Sequence, residues 1–539
     1  MSEALPKLPV GIQDFEKLRK MDCVYVDKTK YLVDLIDEGT VYFLSRPRRF
    51  GKSLTVSTFD ALFSGRKELF AGLYAQSFLD RPDFYSSPVI RLDMSQTVTT
   101  NGLGELEQSM LRQVKKNALR HGVEITETLS SLALEELLTS LSYREGPAVV
   151  LVDEYDKPIL DCLDDAEKAQ TFRDALRNFY TQVKAEDANT RFVFVTGITK
   201  FTRTGVFSAM NNLYDLSADA RFATMPGYTE EELHEYFGRH IAETATALGM
   251  SEDALAERMR DYYDGFSFDG VTRVYNPFST LYFFRMRDFR NFWFDSGSPS
   301  FLVNYVKKLD LEVENFRGME VGEEFTSVSE IDAARPESFL FQSGYLTVRE
   351  KDGPLLTLDY PNKEVLSSIA NLFMYGKMED HGIDAARFRL EKSLAEGRTE
   401  DLILHYNRAL AAIPYDVYVR EEKKYEAERA KEDTSFSNLA ESFFHAILFV
   451  LLWASRLTTR AENHSYKGRS DVEVEYRGKV YIIELKIAEG NDSCERAADE
   501  AIEQIRARGY ADKYDPATVT LIGLAVDKSE RQVRAFRII

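Results

Sequence analysis

Val41-Tyr42-Phe43-Leu44-Ser45-Arg46-Pro47-Arg48-Arg49-Phe50-Gly51-Lys52-Ser53-Leu54 is the stretch on which the fold turns. Its apolar start reads as a buried strand, its basic centre as a loop, and a helix-compatible run continues to Ser64. A loop that passes from strand to helix and ends in Gly-Lys-Ser presents main-chain N–H groups at the positive end of a helix. Lys52 is then placed for β- and γ-phosphate oxygens and Ser53 for a magnesium ion. Position 46 departs from the strict motif, which has glycine there. Gly-Lys-Ser alone is read equally well as a basic turn capping an ordinary helix, so support has to come from elsewhere in the chain.

Three further apolar runs supply it: Val89-Ile90-Arg91-Leu92, Ala148-Val149-Val150-Leu151-Val152 and Arg191-Phe192-Val193-Phe194-Val195. Helix-period segments at 104–121 and 129–143 lie between them, the pattern of a parallel sheet with crossover helices and hence of an α/β domain. The third strand ends in Asp153-Glu154, where the first carboxylate suits magnesium and the second an attacking water. A solvated strand end is the plainer alternative for this acidic pair. The fourth strand ends in Thr196-Gly197, a place from which a neighbouring strand can sense a γ-phosphate, although a threonine there is more often a turn residue.

Thr229-Glu230-Glu231-Glu232 opens a helical, acidic stretch to 263, with Thr229 as cap and Glu232 answering it, which reads as a small lid. Residues 265–432 mix aromatic turns with helices and read as a mostly helical middle region. A charged segment leads into an apolar helix at 436–454. After it come strand-like runs Asp471-Val472-Glu473-Val474-Glu475-Tyr476 and Val480-Tyr481-Ile482-Ile483-Glu484-Leu485-Lys486, a helix at 495–508 and a last strand at 519–526. The expected division is 1–228, 229–432 and 433–539.

Glu484 and Lys486 share a strand face because the side-chain period is two, and Asp471 is able to join them from the adjacent hairpin strand. Phosphodiester cleavage needs such a trio: carboxylates for a divalent cation, and an amine for the water or the developing charge. Glu484-Leu485-Lys486 by itself would be a solvated pair. Gly468-Arg469-Ser470 adds a tight turn and a guanidinium suited to phosphate. Glu441, on the preceding helix, is read equally as a further metal contact or as an acid favoured by the helix dipole. Gln504 and Tyr510 line a groove or serve structure, and His464 reads as a loop histidine.

A chain of 539 residues exceeds what one core fills, about 250–300 residues, so more than one domain is expected. The formal charge of −20 argues against wholesale wrapping by nucleic acid and leaves room for a local basic groove beside metal-neutralised acids. The start lacks a secretory pattern, and the longest apolar run, 443–454, carries His445 and is too short for a bilayer, so a soluble cytoplasmic protein is expected. Cys23, Cys162 and Cys494 lie far apart, fit a reducing compartment and read as filler.

Residues 46–53, Val152-Asp153-Glu154-Tyr155-Asp156-Lys157-Pro158, Thr196-Gly197, Phe207-Ser208 with Asn211-Asn212-Leu213, and Tyr275-Asn276-Pro277 together resemble the AAA-ATPase-like family of bacterial proteins. Residues 441–510 are similar to the nuclease domain that accompanies it, of the PD-(D/E)xK superfamily. The resemblance covers nearly the whole chain. It implies a P-loop NTPase domain with a helical lid and a C-terminal restriction-endonuclease-like α/β domain. It makes Arg46 the family's own form of the loop and names ATP and Mg2+ as cofactors. Arg48, Arg49, Phe50, Gly51, Lys52, Ser53 and Leu54 would hold nucleotide with Asp153 and Thr196; Ser53 and Asp153 would meet its magnesium, and Glu154 would be catalytic. Asp471, Glu484 and Lys486 would form the nuclease centre, with Glu441, Asp471 and Glu484 around its metal. Two departures stand out: the spacing from Gln504 to Tyr510 is longer than in better-known nucleases, and no residue is identified as an arginine finger, Arg203 and Arg221 being candidates only.

The expected function is ATP hydrolysis with cutting of DNA or RNA under nucleotide control, with ATP, nucleic acid and further copies of the chain as partners and no membrane. The alternative is a nucleotide-dependent switch whose nuclease fold only binds nucleic acid. A third reading binds ATP without turnover, and Glu154 speaks against it.

Overall fold

The computed structural model describes residues 5–163, 165–200, 212–295, 316, 318–322, 325, 336–369, 389–390, 392–394, 396–411, 444–445, 447–449, 451–452, 455, 457–465 and 468–539; at 295 and 458–471 only the backbone is described. The chain forms two compact units, Met1–Tyr305 with Glu314–Val365, and Val306–Val313 with Leu366–Ile539. The lid and the start of the middle region therefore belong with the N-terminal sheet.

In the first unit, β1 (Val41–Ser45), β2 (Val89–Asp93), β3 (Ala148–Asp153), β4 (Thr190–Gly197) and β5 (Tyr214–Asp215) form one sheet in the order β2-β3-β4-β1-β5. Every pairing is parallel. Such strands are covered on both faces, which is why they are apolar without alternation. Phe43, Ile90, Val150 and Val193 face a core shared with the helices Leu103–Arg120, Ser130–Arg144 and Ala166–Ala185. Their neighbours Leu44, Val89, Leu151 and Phe194 face the core that holds Val56 and Phe59 of the helix Lys52–Phe63. The carboxyl ends of β1, β3 and β4 consequently open at one edge, where ligands of open α/β sheets sit.

The lid follows as read. Glu230–Leu248 starts with the capping box: Glu232 N donates to the Thr229 hydroxyl at 3.2 Å and Thr229 N to the Glu232 carboxylate at 2.9 Å. Glu252–Tyr263 and Pro277–Met286 complete it, the latter capped by Asn276. Lys28, inside the unit, donates to the carbonyl of Thr224 at 2.8 Å and to Glu232 at 2.7 Å, tying the lid to the N-terminal segment. The middle region adds what periodicity did not disclose, a three-stranded antiparallel sheet of β6 (Met319–Gly322), β7 (Thr347–Asp352) and β8 (Leu355–Asp359) in the order β6-β8-β7.

The second unit has five strands, β9 (Thr458–Ser465), β10 (Gly468–Tyr476), β11 (Lys479–Ala488), β12 (Val519–Asp527) and β13 (Gln532–Ile538), in the order β13-β12-β11-β10-β9. Only β11 and β12 are parallel among these pairings, joined by the helix Asn491–Ala507. Two readings change here. Residues 468–470 are the start of β10 rather than a tight turn, and His464 lies in β9, opposite Arg469, rather than in a loop. A glycine is no bar to an extended backbone, and Gly468 pairs with Ser465 in the β9–β10 ladder. Among the described residues no helix is long and apolar enough to cross a membrane. All three cysteines are buried free thiols packed in the interior.

Candidate functional site

The helix Lys52–Phe63 begins where the chain leaves β1, and two residues in left-handed conformation make the loop possible, Arg49 at φ 68° and Gly51 at φ 88°. Lys52 is buried, its ammonium donating to the carbonyls of Arg46 and Pro47 at 2.8 and 2.9 Å. Burial lowers its pKa from the usual lysine value, and the acids Glu154, Asp153 and Asp156 oppose that shift.

A cleft of about 420 Å³ opens beside this loop, lined by Arg48, Arg49, Gly51, Lys52, Ser53 and Leu54 and, across it, by Glu154. Phe50, predicted as a contact, is not on the wall. Its ring is turned into the interior against Phe266 at 4.9 Å and Phe268 at 5.7 Å, because a large aromatic side chain gains from burial. Asp153 and Thr196 stand behind the cleft and not on its wall: the Thr196 hydroxyl donates to Asp153 Oδ1 at 2.6 Å, both groups buried.

Arg46 does not act as a glycine substitute facing phosphate. Its side chain is 1% exposed and runs into the body, donating to the carbonyls of Ser45 at 2.9 Å, Ser217 at 2.7 Å and Phe222 at 3.4 Å, with the guanidinium 4.0 Å from the Phe268 ring centre. Burial pushes its pKa down to about 9. The residue bolts the loop to the segment after β5.

Glu154 takes φ 51°, a conformation that costs a residue with a Cβ about 1–2 kcal/mol. The strain turns its carboxylate into the cleft, where burial raises its pKa and Lys52 partly restrains the rise. Asp156, two residues on, is fully inside. Its Oδ2 accepts from Ile198 N at 3.0 Å, Thr199 N at 2.6 Å and the Thr199 hydroxyl at 2.6 Å, which fixes the ends of β3 and β4 to each other. Lys200 N then donates to Gln342 Oε1 at 3.0 Å, and Ser343 and Tyr345 line the cleft.

Other walls come from residues the sequence did not single out. Trp293 lines the cleft and donates from Nε1 to the Arg48 carbonyl at 3.1 Å, and Phe278 faces the guanidinium of Arg49 at 5.0 Å. Gly344, at φ 90°, packs so closely on the loop that a Cβ there would lie 2.7 Å from Pro47 Cβ. Pro9, Gly11, Ile12 and Gln13 close the far side. Of the candidate arginine fingers, Arg203 lies outside the described residues. Arg221 is exposed and held by Asp219 at 2.8 Å and Glu38 at 2.9 Å, away from the cleft.

In the second unit Glu484 of β11 is fully buried, with Lys486 Nζ 3.6 Å from its Oε1. Gln504, on the helix Asn491–Ala507, donates to the same oxygen. Asp471 is one step beyond the pair Val472↔Ile483, so its backbone is level with Glu484; its side chain is outside the described residues, as is Glu441 entirely. Glu473, also buried, accepts from Tyr514 at 2.7 Å and pairs with Lys513 at 3.2 Å. Tyr510 belongs to the core with Val480, Ile482 and Ile505. Among the described residues no group of three metal-ligating side chains is gathered.

An uncharacterized protein in the vnfD 5′ region of Azotobacter chroococcum mcd 1 is 33% identical over 540 residues, covering 98% of each chain. A model described as predicted AAA-ATPase, of the AAA-ATPase-like family, matches residues 9–207, and one for the PD-(D/E)XK nuclease superfamily matches 439–536. The chain belongs to the AAA-ATPase-like family and carries a PD-(D/E)XK nuclease superfamily domain at its C-terminal end. In this AAA-ATPase-like protein the first match holds the cleft loop, Glu154 and Thr196, and the second holds Asp471, Glu484, Lys486 and Gln504. A solved structure of the Aeropyrum pernix ORC1 protein in complex with DNA aligns over 83% of this chain and 87% of that one, at 14% identity and a TM-score of 0.25, below the level at which two chains share a fold.

Proposed function

We propose that this chain hydrolyses ATP in the cleft of its first unit and cuts phosphodiester bonds of DNA or RNA with its second, the nucleotide controlling the cutting. What carries the reading is that the chain bears expensive buried charge where ligands bind. Lys52 and Glu154 share the cleft at the carboxyl edge of the sheet, and Glu484 is wholly buried beside Lys486 and Gln504. Charge withdrawn from water is a poor stabiliser compared with apolar packing, so chemistry is the better reason for it.

The phosphates would lie along Gly51, Lys52 and Ser53 at the helix start, with Glu154 taking the proton of the attacking water. Oxygen donors would hold magnesium, the Ser53 hydroxyl with Asp153 behind it in the first site, and Glu484 with Asp471 in the second. When bound, the ion supplies charge neutralisation at phosphate and acidifies water. Lys486 then holds the water or the developing charge beside Glu484.

Labelled single- and double-stranded DNA and RNA, offered with magnesium and with or without ATP, test the proposal. Glu484→Ala should abolish cutting and leave ATP turnover intact, whereas Lys52→Ala should abolish turnover. Cutting by Glu484→Ala at the wild-type rate would remove the nuclease half, and cutting unaltered by ATP would remove the control.

A further inference from the structure

We propose that Glu364 is a positioning residue that joins the nucleotide cleft to the nuclease unit. Through Trp293 it holds the phosphate loop, and through the helix in whose first turn it stands it passes the state of that loop to the second unit. The inference rests on the cleft being an ATP site and on the nucleotide controlling the cutting, and it names the residues that carry the control.

The chain leaves the first unit for the last time after Val365, inside a helix at 363–369 whose later residues belong to the second. Four residues at this exit each hold a part of the cleft's surroundings. A Cβ on Gly265 would collide with the Pro361 carbonyl oxygen, so the exit lies directly on the end of the lid helix Glu252–Tyr263. Asn362 Nδ2 donates to the Asp264 carbonyl at 2.6 Å while Oδ1 accepts from Val365 N at 3.0 Å, which ties the start of the exit helix to the lid. Lys363 pairs with Asp261 at 2.8 Å. Glu364 reaches the cleft wall itself, accepting from Trp293 N at 2.8 Å.

Trp293 connects the two ends within one residue. Its main-chain N–H is on Glu364 and its indole Nε1 is on the Arg48 carbonyl at 3.1 Å. The ring between them is packed: its centre lies 5.0 Å from that of Tyr345, and a Cβ on Gly344 would lie 3.3 Å from its Cζ2. A close-packed ring carries a displacement onward and does not absorb it. Phosphates along Gly51, Lys52 and Ser53 act on the same loop as the Arg48 carbonyl, so their binding alters the pull on Trp293 and thereby on Glu364. Glu364 is 0% exposed, and a carboxylate is costly to keep from water. An acid on the surface of the same helix turn would suit the helix dipole without that cost, so the buried position is better explained by what it holds. Linkage makes the effect reciprocal: nucleic acid bound by the second unit must alter ATP affinity by the factor by which ATP alters its binding.

Glu364→Gln, which keeps an acceptor for Trp293 N, and Glu364→Leu, which fills the space without one, test the inference. Both are made in the full chain carrying Trp453→Phe, so that Trp293 alone fluoresces as tryptophan. The readouts are Trp293 emission on ATP addition, ATP turnover, and magnesium-dependent cutting of labelled DNA and RNA with and without ATP. In the parent, ATP should shift the emission and change the cutting rate, by about 5–150-fold for a coupled pair of sites. Glu364→Leu should cut without ATP at the parent rate, while the factor by which ATP changes the cutting falls to near one and the emission shift shrinks. Glu364→Gln should retain most of both. A merely structural role would lower Tm and leave the ratio of cutting with ATP to cutting without it as in the parent; that unchanged ratio in a folded Glu364→Leu would overturn the inference. Should the leucine variant fail to fold, Trp293→Phe, which removes the indole donor and keeps the main-chain bond, decides by the same ratio. Absence of ATP binding in the parent, or a parent ratio of one, would instead defeat the reading on which the inference rests.

Discussion

Arg46→Gly restores the strict phosphate-loop motif, and the structure predicts that it weakens the protein. Burial pushes the guanidinium pKa down to about 9, a penalty on the charge of a few kcal/mol at about 1.4 kcal/mol per tenfold. Against it stand the bonds to Ser45 and Ser217 at 2.9 and 2.7 Å, the longer one to Phe222, and the Phe268 face. Charge-assisted bonds contribute about 1.5–3 kcal/mol each and a desolvated cation–π contact about 2, so the intact site is near balance. The damage therefore comes from what truncation leaves behind. Carbonyls of Ser217 and Phe222 lose a donor at about 1–3 kcal/mol each, and glycine adds about 1 kcal/mol of backbone entropy besides a void. The expected loss is about 3–5 kcal/mol for Arg46→Gly and about 2–3 for Arg46→Met, which refills the space. Urea unfolding followed by Trp293 fluorescence, in a background where the chain's other tryptophan is Trp453→Phe, reads the loss directly, since the indole is bonded to the loop. ATP affinity should drop at least tenfold in parallel. An Arg46→Gly protein with the wild-type midpoint and affinity would refute the reasoning.

The proposed general base and the loop brace make further predictions. Glu154→Gln should bind ATP and turn it over about 10²–10⁴ times more slowly. Because burial raises the Glu154 pKa, and only the ionised carboxylate accepts the proton, wild-type kcat should decline as pH falls through a value above the ordinary carboxylate range; a decline confined to that ordinary range counts against the assignment. Gly344→Ala places a Cβ 2.7 Å from Pro47 Cβ and 3.3 Å from Trp293 in a left-handed residue, so calorimetry and ATP titration should show a lower Tm and weaker binding; an unchanged pair of values would mean that Gly344 does not brace the loop.

How much of this was legible depended on the range of the interaction. Strands β1 to β4 could be read because a parallel strand buried on both faces must be apolar throughout, and the lid start because a capping box is written within four residues. The hairpin β7–β8 escaped, although Gly353-Pro354 between Thr347-Val348 and Leu355-Leu356 was a local mark for it. Glu484 and Lys486 could be placed together from the strand period alone, and the donation from Gln504 required the helix to return over the sheet.

Arg46 shows why the rest was hidden. A motif states which residue stands at a position and is silent on the direction of its side chain, which here is decided by carbonyls about 170 residues later, at Ser217 and Phe222. The same holds for Trp293, whose bond to Arg48 spans 245 residues, and for Gln342, which receives Lys200 N across 142. Together they make the cleft a product of the whole first unit: the loop supplies charge, the β3 and β4 ends are locked by Asp156, and the middle region supplies the wall. It follows that a segment limited to the five parallel strands and their helices would present Lys52 and Glu154 without the contacts that hold Pro47 and Arg48, and nucleotide binding should weaken when residues 336–365 are removed even though no predicted phosphate contact lies among them.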